Sequence, residues 1–204
     1  MNTATRSAGR TLWVAVRAML AFTVLLGLGY PLLITGIGQL AFPWQANGSV
    51  VRDADGAVVG SALVGQSFLD AAGDPLPEYF QPRPSAAGDG YDGAASSGSN
   101  WGPENADLIA AIQERRAQVA EFNGVAPEDV PADAVTASAS GLDPHISPAY
   151  ARIQIARVAA ARGLPTSEVA ELVESSIQVP DLGFLGDPTV NVLTLNLALD
   201  RLEG

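Results

Sequence analysis

Apolar and polar positions are distributed along this chain in two different ways, and the change falls near residue 50. From Ala18 to Val51 no charged residue occurs, and the 23 positions from Ala18 to Leu40 are apolar on every side rather than on one stripe. As a helix rising 1.5 Å per residue, that stretch spans a hydrocarbon core of about 30 Å. It predicts a membrane anchor. A cleaved secretory signal would carry an apolar region of roughly 7 to 15 residues followed by an A-x-A-like site, and no such site follows Leu40.

Beyond the anchor the pattern shortens and alternates. SVVRDADGAVVGSALVGQSF predicts a β-hairpin with strands Ser49–Arg52 and Ala57–Gly60 and the tight turn at Asp55-Gly56. Residues 71–103 show no period, and 19 of the 33 are Gly, Pro, Ser, Asp or Asn. That composition suits a tether, yet Tyr79, Phe80, Tyr91 and Trp101 are spaced through it, so an ordered loop anchored by its aromatics is expected. Asn105 to Phe122 predicts an amphipathic helix with Leu108, Ile109, Ile112 and Val119 inward and Gly124 past its end. Ser147-Pro148 opens a second helix, with Ile153, Ala156 and Ala160 on its inner stripe and Gly163 as its stop. Thr166 caps a third, with Glu168 in the first turn and Val169, Leu172 and Val173 inward. The leucine run at the end reads as a strand over Val190 to Leu193 and then a helix. The fold class is α+β: a single N-terminal transmembrane helix followed by one extracytoplasmic domain of mixed helices and strands.

Charge orients this arrangement. Arg6, Arg10 and Arg17 precede or enter the span with no acidic residue among them, and positive flanks stay in the cytoplasm. Residues 1–11 are therefore expected in the cytoplasm, 12–42 in the cytoplasmic membrane and 43–204 outside it. All 22 acidic residues follow the span, against eight arginines, a net charge of 8 − 22 = −14. Nucleic acid and anionic lipid surfaces are poor partners for such a domain, and membrane lipid meets only the anchor.

Composition removes whole classes of chemistry. All 11 basic residues are arginine, cysteine is absent, and His145 is the single histidine. Without lysine there is no phosphate-binding G-x-x-x-x-G-K-[ST] loop, Schiff base or S-x-x-K acylase. Without cysteine there is no thiol nucleophile or thiolate zinc site, and one histidine forbids H-E-x-x-H. Paired carboxylates remain. A calcium loop with Gly56 at its sixth position fails, because Val51 and Ala62 stand where acidic ligands are needed. The stretch ASASGLDPHISPAYA does hold serine, aspartate and histidine, but Ser138, Ser140, Asp143 and His145 are crowded into one turn and no G-x-S-x-G elbow occurs. It reads as a turn at Gly141, Asp143 and Pro144 followed by a capped helix start.

Several long stretches carry a resemblance: YPLLITGIGQLAFPWQANGS, GSALVGQSF, YFQPRPSAAGDGYDGAASSGSN, VPADAVTASASGLDPHISPAYA and VNVLTLNLALDRL. In this order they closely resemble the KdpC family, one of the component chains of the bacterial high-affinity potassium-transporting P-type ATPase. The resemblance implies a non-catalytic accessory subunit that supports assembly and potassium delivery at the extracytoplasmic face. Its partners would be a channel-like A subunit and an ATP-hydrolysing B subunit. ATP, magnesium and potassium would act at the level of the complex, with no cofactor in this chain. Consistently, the chain lacks the D-K-T-G sequence of P-type pumps. Two other readings are a membrane-anchored exported hydrolase using two carboxylates and an ion-binding domain. No catalytic or metal residue is assigned. Candidate partner contacts are Thr23, Gly27, Pro31 and Thr35, which recur every four residues on the anchor, Arg83, Tyr91, Asp92, Ser99 and Asn100 in the loop, and Asp143 and His145.

Overall fold

The structure is a computed structural model that describes residues 3–202, with residues 3–7 described by their backbone only, so the expected role of the Arg6 side chain lies outside the described residues. The chain forms two compact units, residues 1–49 and 50–204.

The first unit is one long helix with a defect at its middle. Helix α1 (Thr3–Val24) runs into a π-helical turn over Leu25–Gly29 and on into α2 (Tyr30–Ala41). The cause is Pro31. It has no N–H for the Gly27 carbonyl, and its ring would clash with that carbonyl in α geometry. The preceding turn widens instead, and the Tyr30 N–H closes on the Leu25 carbonyl five residues back. A short helix α3 (Pro43–Ala46) follows the break at Phe42. Residues 8–41 are exposed throughout except for half-buried Gly38. Ala8–Ala41, 34 residues, is the one helix among the described residues that is long and apolar enough to cross a membrane.

The second unit opens with the expected hairpin, shifted by one residue. Strand β1 (Val50–Arg52) pairs antiparallel with β2 (Val58–Ser61), Val51 opposite Gly60, and the register slips between Val51 and Arg52. Ala57 falls outside its strand because Asp53 captures the turn: its N–H donates to the Ala57 carbonyl at 3.1 Å, and its Oδ1 accepts from the Ala57 N–H at 2.8 Å. Ser49, left-handed at φ 50°, bonds back to the Trp44 carbonyl instead of joining β1. Gly56 supplies the positive φ of +82°.

Helix α4 (Ala106–Asn123) is capped by Asn105, whose Oδ1 accepts from the Asp107 and Leu108 N–H groups, and ends on left-handed Gly124. Its inner face carries Leu108, Ile112, Val119 and Ala120, whereas Ile109, expected inward, is 45% exposed. The one-turn α5 (Ala132–Val135) leads to strand β3 (His145–Ile146) and to α6 (Pro148–Arg162), whose cap Ser147 accepts from the Tyr150 N–H and whose stop is Gly163, as the sequence predicts. The inner stripe of α6 differs from the expected one. Ala156 and Ala160 are exposed and Ile153 is half-buried, while Tyr150, Ala151, Gln154, Ile155, Val158 and Ala159 are buried. The stripe turns because Gln154 is an internal residue. Helix α7 (Thr166–Ser175) buries Val169 and Val173 as expected, but Pro165 takes the cap position and Thr166 is the first helical residue.

The terminal strand is shorter than expected. Strand β4 (Val190–Asn191) pairs antiparallel with β3, His145 opposite Asn191. Asn191 Oδ1 then accepts from the Thr194 N–H and starts α8 (Val192–Asp200), so Val192 and Leu193 are helical. Helix α6 packs on α7 and α4, and α7 on α8. The core between them holds Phe80, Tyr150, Val158, Val169, Val173, Leu195 and Leu199, each 3% exposed or less.

Candidate functional site

Four of the expected contact residues of the second unit, Arg83, Tyr91, Asp143 and His145, come together around Asp143 because the loop beneath them is stitched to helices. After a turn at residues 77–79, residues 80–84 cross α6 and α8 without a strand partner, and side chains supply the bonds a strand would. Gln154 Oε1 accepts from the Gln81 N–H at 2.7 Å and its Nε2 donates to the Gln81 carbonyl at 3.1 Å. Asn196 does the same for Phe80, accepting at 2.9 Å and donating at 3.0 Å. Gln81 in turn donates its Nε2 to the carbonyls of Phe68 and Leu76, both at 3.0 Å. Arg157 completes the seam: its guanidinium donates to the carbonyls of Pro77 and Tyr79, to Gln154 Oε1 and to Asn123 Oδ1, and lies 4.4 Å from the Phe122 ring centroid. Burial pushes the Arg157 pKa down to about 10, which leaves it a cation at neutral pH.

This fixed strand delivers Arg83 to Asp143. Arg83 Nη1 donates to Asp143 Oδ2 at 2.9 Å, and Asp143 Oδ1 accepts from the His145 N–H at 3.0 Å with His145 Nδ1 3.5 Å away. The three side chains are about a quarter to a third exposed, at 24%, 29% and 32%. Tyr91, left-handed at φ 57°, donates its hydroxyl to the Arg83 carbonyl at 2.8 Å. Ser85 ties the loop to the turn, donating to the Gly141 carbonyl at 2.7 Å and accepting from the N–H groups of Ala87 and Tyr91. Gly65 lets the pieces close, since a β-carbon there would stand 2.5 Å from Tyr91 Cε1 and 2.6 Å from the Asp143 carbonyl oxygen.

Burial raises the pKa of the Asp143 carboxyl, but the hydrogen bonds from His145 and the charge and hydrogen bond of Arg83 outweigh it and hold the group below the usual carboxylate range. Burial pushes the Tyr91 hydroxyl up, with the Asp143 charge adding to it. Ser138 and Ser140 face each other, with their Oγ atoms 3.5 Å apart, and neither bonds to His145. Asp133 binds Ser147 instead, accepting from its N–H at 2.7 Å and its hydroxyl at 2.9 Å. No serine nucleophile is therefore held by the histidine among the described residues. Nor does any group of three or more His, Cys, Asp or Glu side chains among them suit a metal ion.

Arg83, Tyr91, Asp143 and His145 thus form one network. Asp92 stays on its own turn, accepting from the Ala94 N–H at 2.8 Å. Ser99 and Asn100 are exposed, and Asn100 donates to the Gly98 carbonyl. Trp101, expected as an anchor of the loop, is 41% exposed because the chain beside it turns into the cap of α4; Phe80 and Ala87, fully buried, hold the loop. Thr23, Gly27, Pro31 and Thr35 lie in the other unit, all exposed. Sequence reasoning missed Gln154, Arg157 and Asn196. The two amides had a local signal, each standing between apolar neighbours in Ile153-Gln154-Ile155 and Leu195-Asn196-Leu197, and Arg157 had none.

The family model described as KdpC, the K+-transporting ATPase c chain, matches residues 12–201. The chain belongs to the KdpC family. Its KdpC relatives include the potassium-transporting ATPase KdpC subunit of Caulobacter vibrioides, 60% identical over 187 residues, covering 91% of this chain and 90% of the relative. The subunit of the same name from Kineococcus radiotolerans is 58% identical over 181 residues, 89% of this chain and 88% of the relative. That of Mycobacterium bovis is 52% identical over 195 residues, 95% and 99%. The resemblance seen in the sequence is thereby established, and this KdpC chain is an accessory subunit of potassium transport. The KdpC match contains the Asp143 network, the amide seam and the π-helical turn.

Proposed function

We propose that the chain is a non-catalytic accessory subunit of an ATP-driven, high-affinity potassium-uptake complex. Its long helix sits in the cytoplasmic membrane with the N-terminus inside, and the second unit supports assembly and potassium delivery at the extracytoplasmic face. The channel-like A subunit and the ATP-hydrolysing B subunit are its partners, and ATP, magnesium and potassium act there. The observation that carries this reading is the internal commitment of the Asp143 network: both carboxylate oxygens are bound by Arg83 and His145, which leaves a shaped surface and no poised base. The anchor stripe Thr23, Gly27, Pro31 and Thr35 is the proposed membrane contact. Arg83, Tyr91, Asp92, Ser99, Asn100, Asp143 and His145 are the proposed contacts of the exported face.

The test is purification of the full chain from its native membranes in mild detergent, with identification of the proteins that co-elute. Recovery of a P-type ATPase chain and a potassium-channel-like chain is the expected result. Recovery of the chain alone, with hydrolytic activity of its own, would overturn the proposal in favour of an exported hydrolase.

A further inference from the structure

A cavity of about 290 Å³ beside the Asp143 network is lined by Arg83, Arg115, Tyr91, Tyr150, Pro84 and Val119, among others. Its lining contains two guanidinium groups and no carboxylate, in a chain where acidic residues outnumber basic ones 22 to 11. Most of its polar atoms are already committed. Ser85 bonds to Gly141, Ala87 and Tyr91, the Tyr91 hydroxyl to Arg83, the Gln81 amide to Phe68 and Leu76, and Gln118 to Glu114.

Besides the hydroxyl of exposed Ser67, three groups are left over. Tyr150 is 3% exposed, yet among the described residues its hydroxyl makes no hydrogen bond. Arg83 Nε is buried without a partner. Arg115 spends one N–H on the Val135 carbonyl at 3.2 Å and forms no salt bridge among the described residues. The Arg83 charge is neutralised by Asp143, so the unbalanced positive charge of the cavity is that of Arg115. Of these, Arg83 Nε is a buried donor without an acceptor, which is unfavourable, and a guanidinium presents a planar fork matched to a carboxylate. Apart from Ser67, the remaining lining is apolar, with the tyrosine rings, the prolines, Leu69 and Val119 in it. The volume lies at the small end of ligand pockets.

We infer that this cavity binds a small organic carboxylate, its acid group on Arg115 with the Tyr150 hydroxyl as a further donor and its apolar body against Tyr91, Pro84 and Val119. The site is separate from the proposed contacts with other chains of the pump except through Arg83 and Tyr91, and it does not depend on them.

The probe is benzoate, titrated into the full chain in detergent micelles and followed by calorimetry, with neutral benzyl alcohol as its counterpart. Saturable benzoate binding with a Kd of about 1 mM or tighter is expected, with benzyl alcohol weaker by about tenfold or more. Arg115→Gln should weaken benzoate by about tenfold and Tyr150→Phe by about threefold, with both variants folded in the absence of benzoate and the melting temperature unchanged in Tyr150→Phe. Arg116→Gln, on the exposed side of α4, should bind as the parent does. No saturation by about 20 mM benzoate would overturn the inference, given the affinity expected above. So would equal binding of benzyl alcohol, or equal losses in Arg115→Gln and Arg116→Gln. Binding that vanishes once the chain is in its complex would also overturn it, since the cavity would then belong to an acidic side chain of a partner.

Discussion

The side-chain amide of Gln154 hydrogen-bonds both the N–H and the carbonyl of Gln81, at 2.7 and 3.1 Å, 73 residues away in sequence. It replaces the neighbouring strand that this segment lacks. Phe80, one residue earlier, is held the same way by Asn196. An amide is suited to this because it presents one acceptor and one donor side by side, the pattern of a strand edge. The segment then carries Arg83 to Asp143 with little freedom, which links the helical core to the face that bears the Asp143 network.

Gln154→Leu removes both bonds and leaves a buried N–H and carbonyl unpaired, in addition to part of the Arg157 seam. A loss of about 2–4 kcal/mol in unfolding free energy is expected, and a similar loss for Asn196→Leu. The double variant should lose less than the sum, because either change alone already frees the segment. Urea titration of the full chain measures all three. Single variants within about 0.5 kcal/mol of the parent would show that the segment is held by other contacts.

Much of the helical architecture was legible in the sequence because its signals are local. Ser147, Gly124 and Gly163 act where they stand, as one cap and two stops, and each is found doing so, whereas Asn105, expected as the first helical residue, is the cap of α4. The hairpin was legible to within one residue, and the missing detail was the side chain of Asp53 bonding to Ala57. What was not legible depends on partners distant in sequence. Helical periodicity placed Ala156 and Ala160 inward, but nothing local announces that Gln154 is satisfied by a backbone 73 residues upstream, and that contact turns the helix. The candidate residues Arg83, Tyr91, Asp143 and His145 were named separately; their union into one network follows from the seam and from the close approach at Gly65.

Asp143 gives the network a pH dependence. Its folded-state pKa is lowered, so its contribution to stability is present above the ordinary carboxylate range and is lost as the pH falls through the folded-state value. Melting temperatures of the parent should therefore fall below about pH 4 more steeply than those of Asp143→Asn, whose side chain does not titrate there. Parallel acid limbs in the two proteins would remove Asp143 from the account. At neutral pH, Asp143→Asn and His145→Ala are expected to lower the yield of complex while the complexes that do form turn over normally. A variant that assembles fully and loses turnover by orders of magnitude would restore a chemical role.

Gly65 is expected to be intolerant of any side chain. In Gly65→Ala the β-carbon would meet the Tyr91 ring and the Asp143 backbone at once, and the backbone contact cannot be relieved by a rotamer change. A destabilisation of about 1–3 kcal/mol follows from overpacking. Gly102→Ala, where a β-carbon meets nothing within 4 Å, is the matched control and should be nearly neutral. Thermal denaturation of the two variants side by side decides the matter.

The anchor yields the last prediction. In an uninterrupted α-helix, positions four apart drift around the axis by about 40° at each step, so Thr23, Gly27, Pro31 and Thr35 would spread over a broad face. The π-helical turn at Leu25–Gly29 turns the chain less per residue and draws these four toward one line. At Gly27 the nearest atom to a β-carbon would be Thr23 Cγ2 at 3.9 Å, which leaves a notch open on the helix surface. In lipid, where apolar contact alone gives no hydrophobic gain, such a notch lets a second backbone approach and a threonine hydroxyl bond across. Gly27→Leu fills the notch and should weaken co-purification of the membrane partners by about tenfold, the equivalent of ~1.4 kcal/mol, while membrane insertion stays normal. Leu26→Ile, off the line, should co-purify as the parent does. Potassium-limited growth should follow the same order. If Gly27→Leu co-purifies and supports growth as well as the parent, the line of small residues faces lipid and the anchor docks through another face.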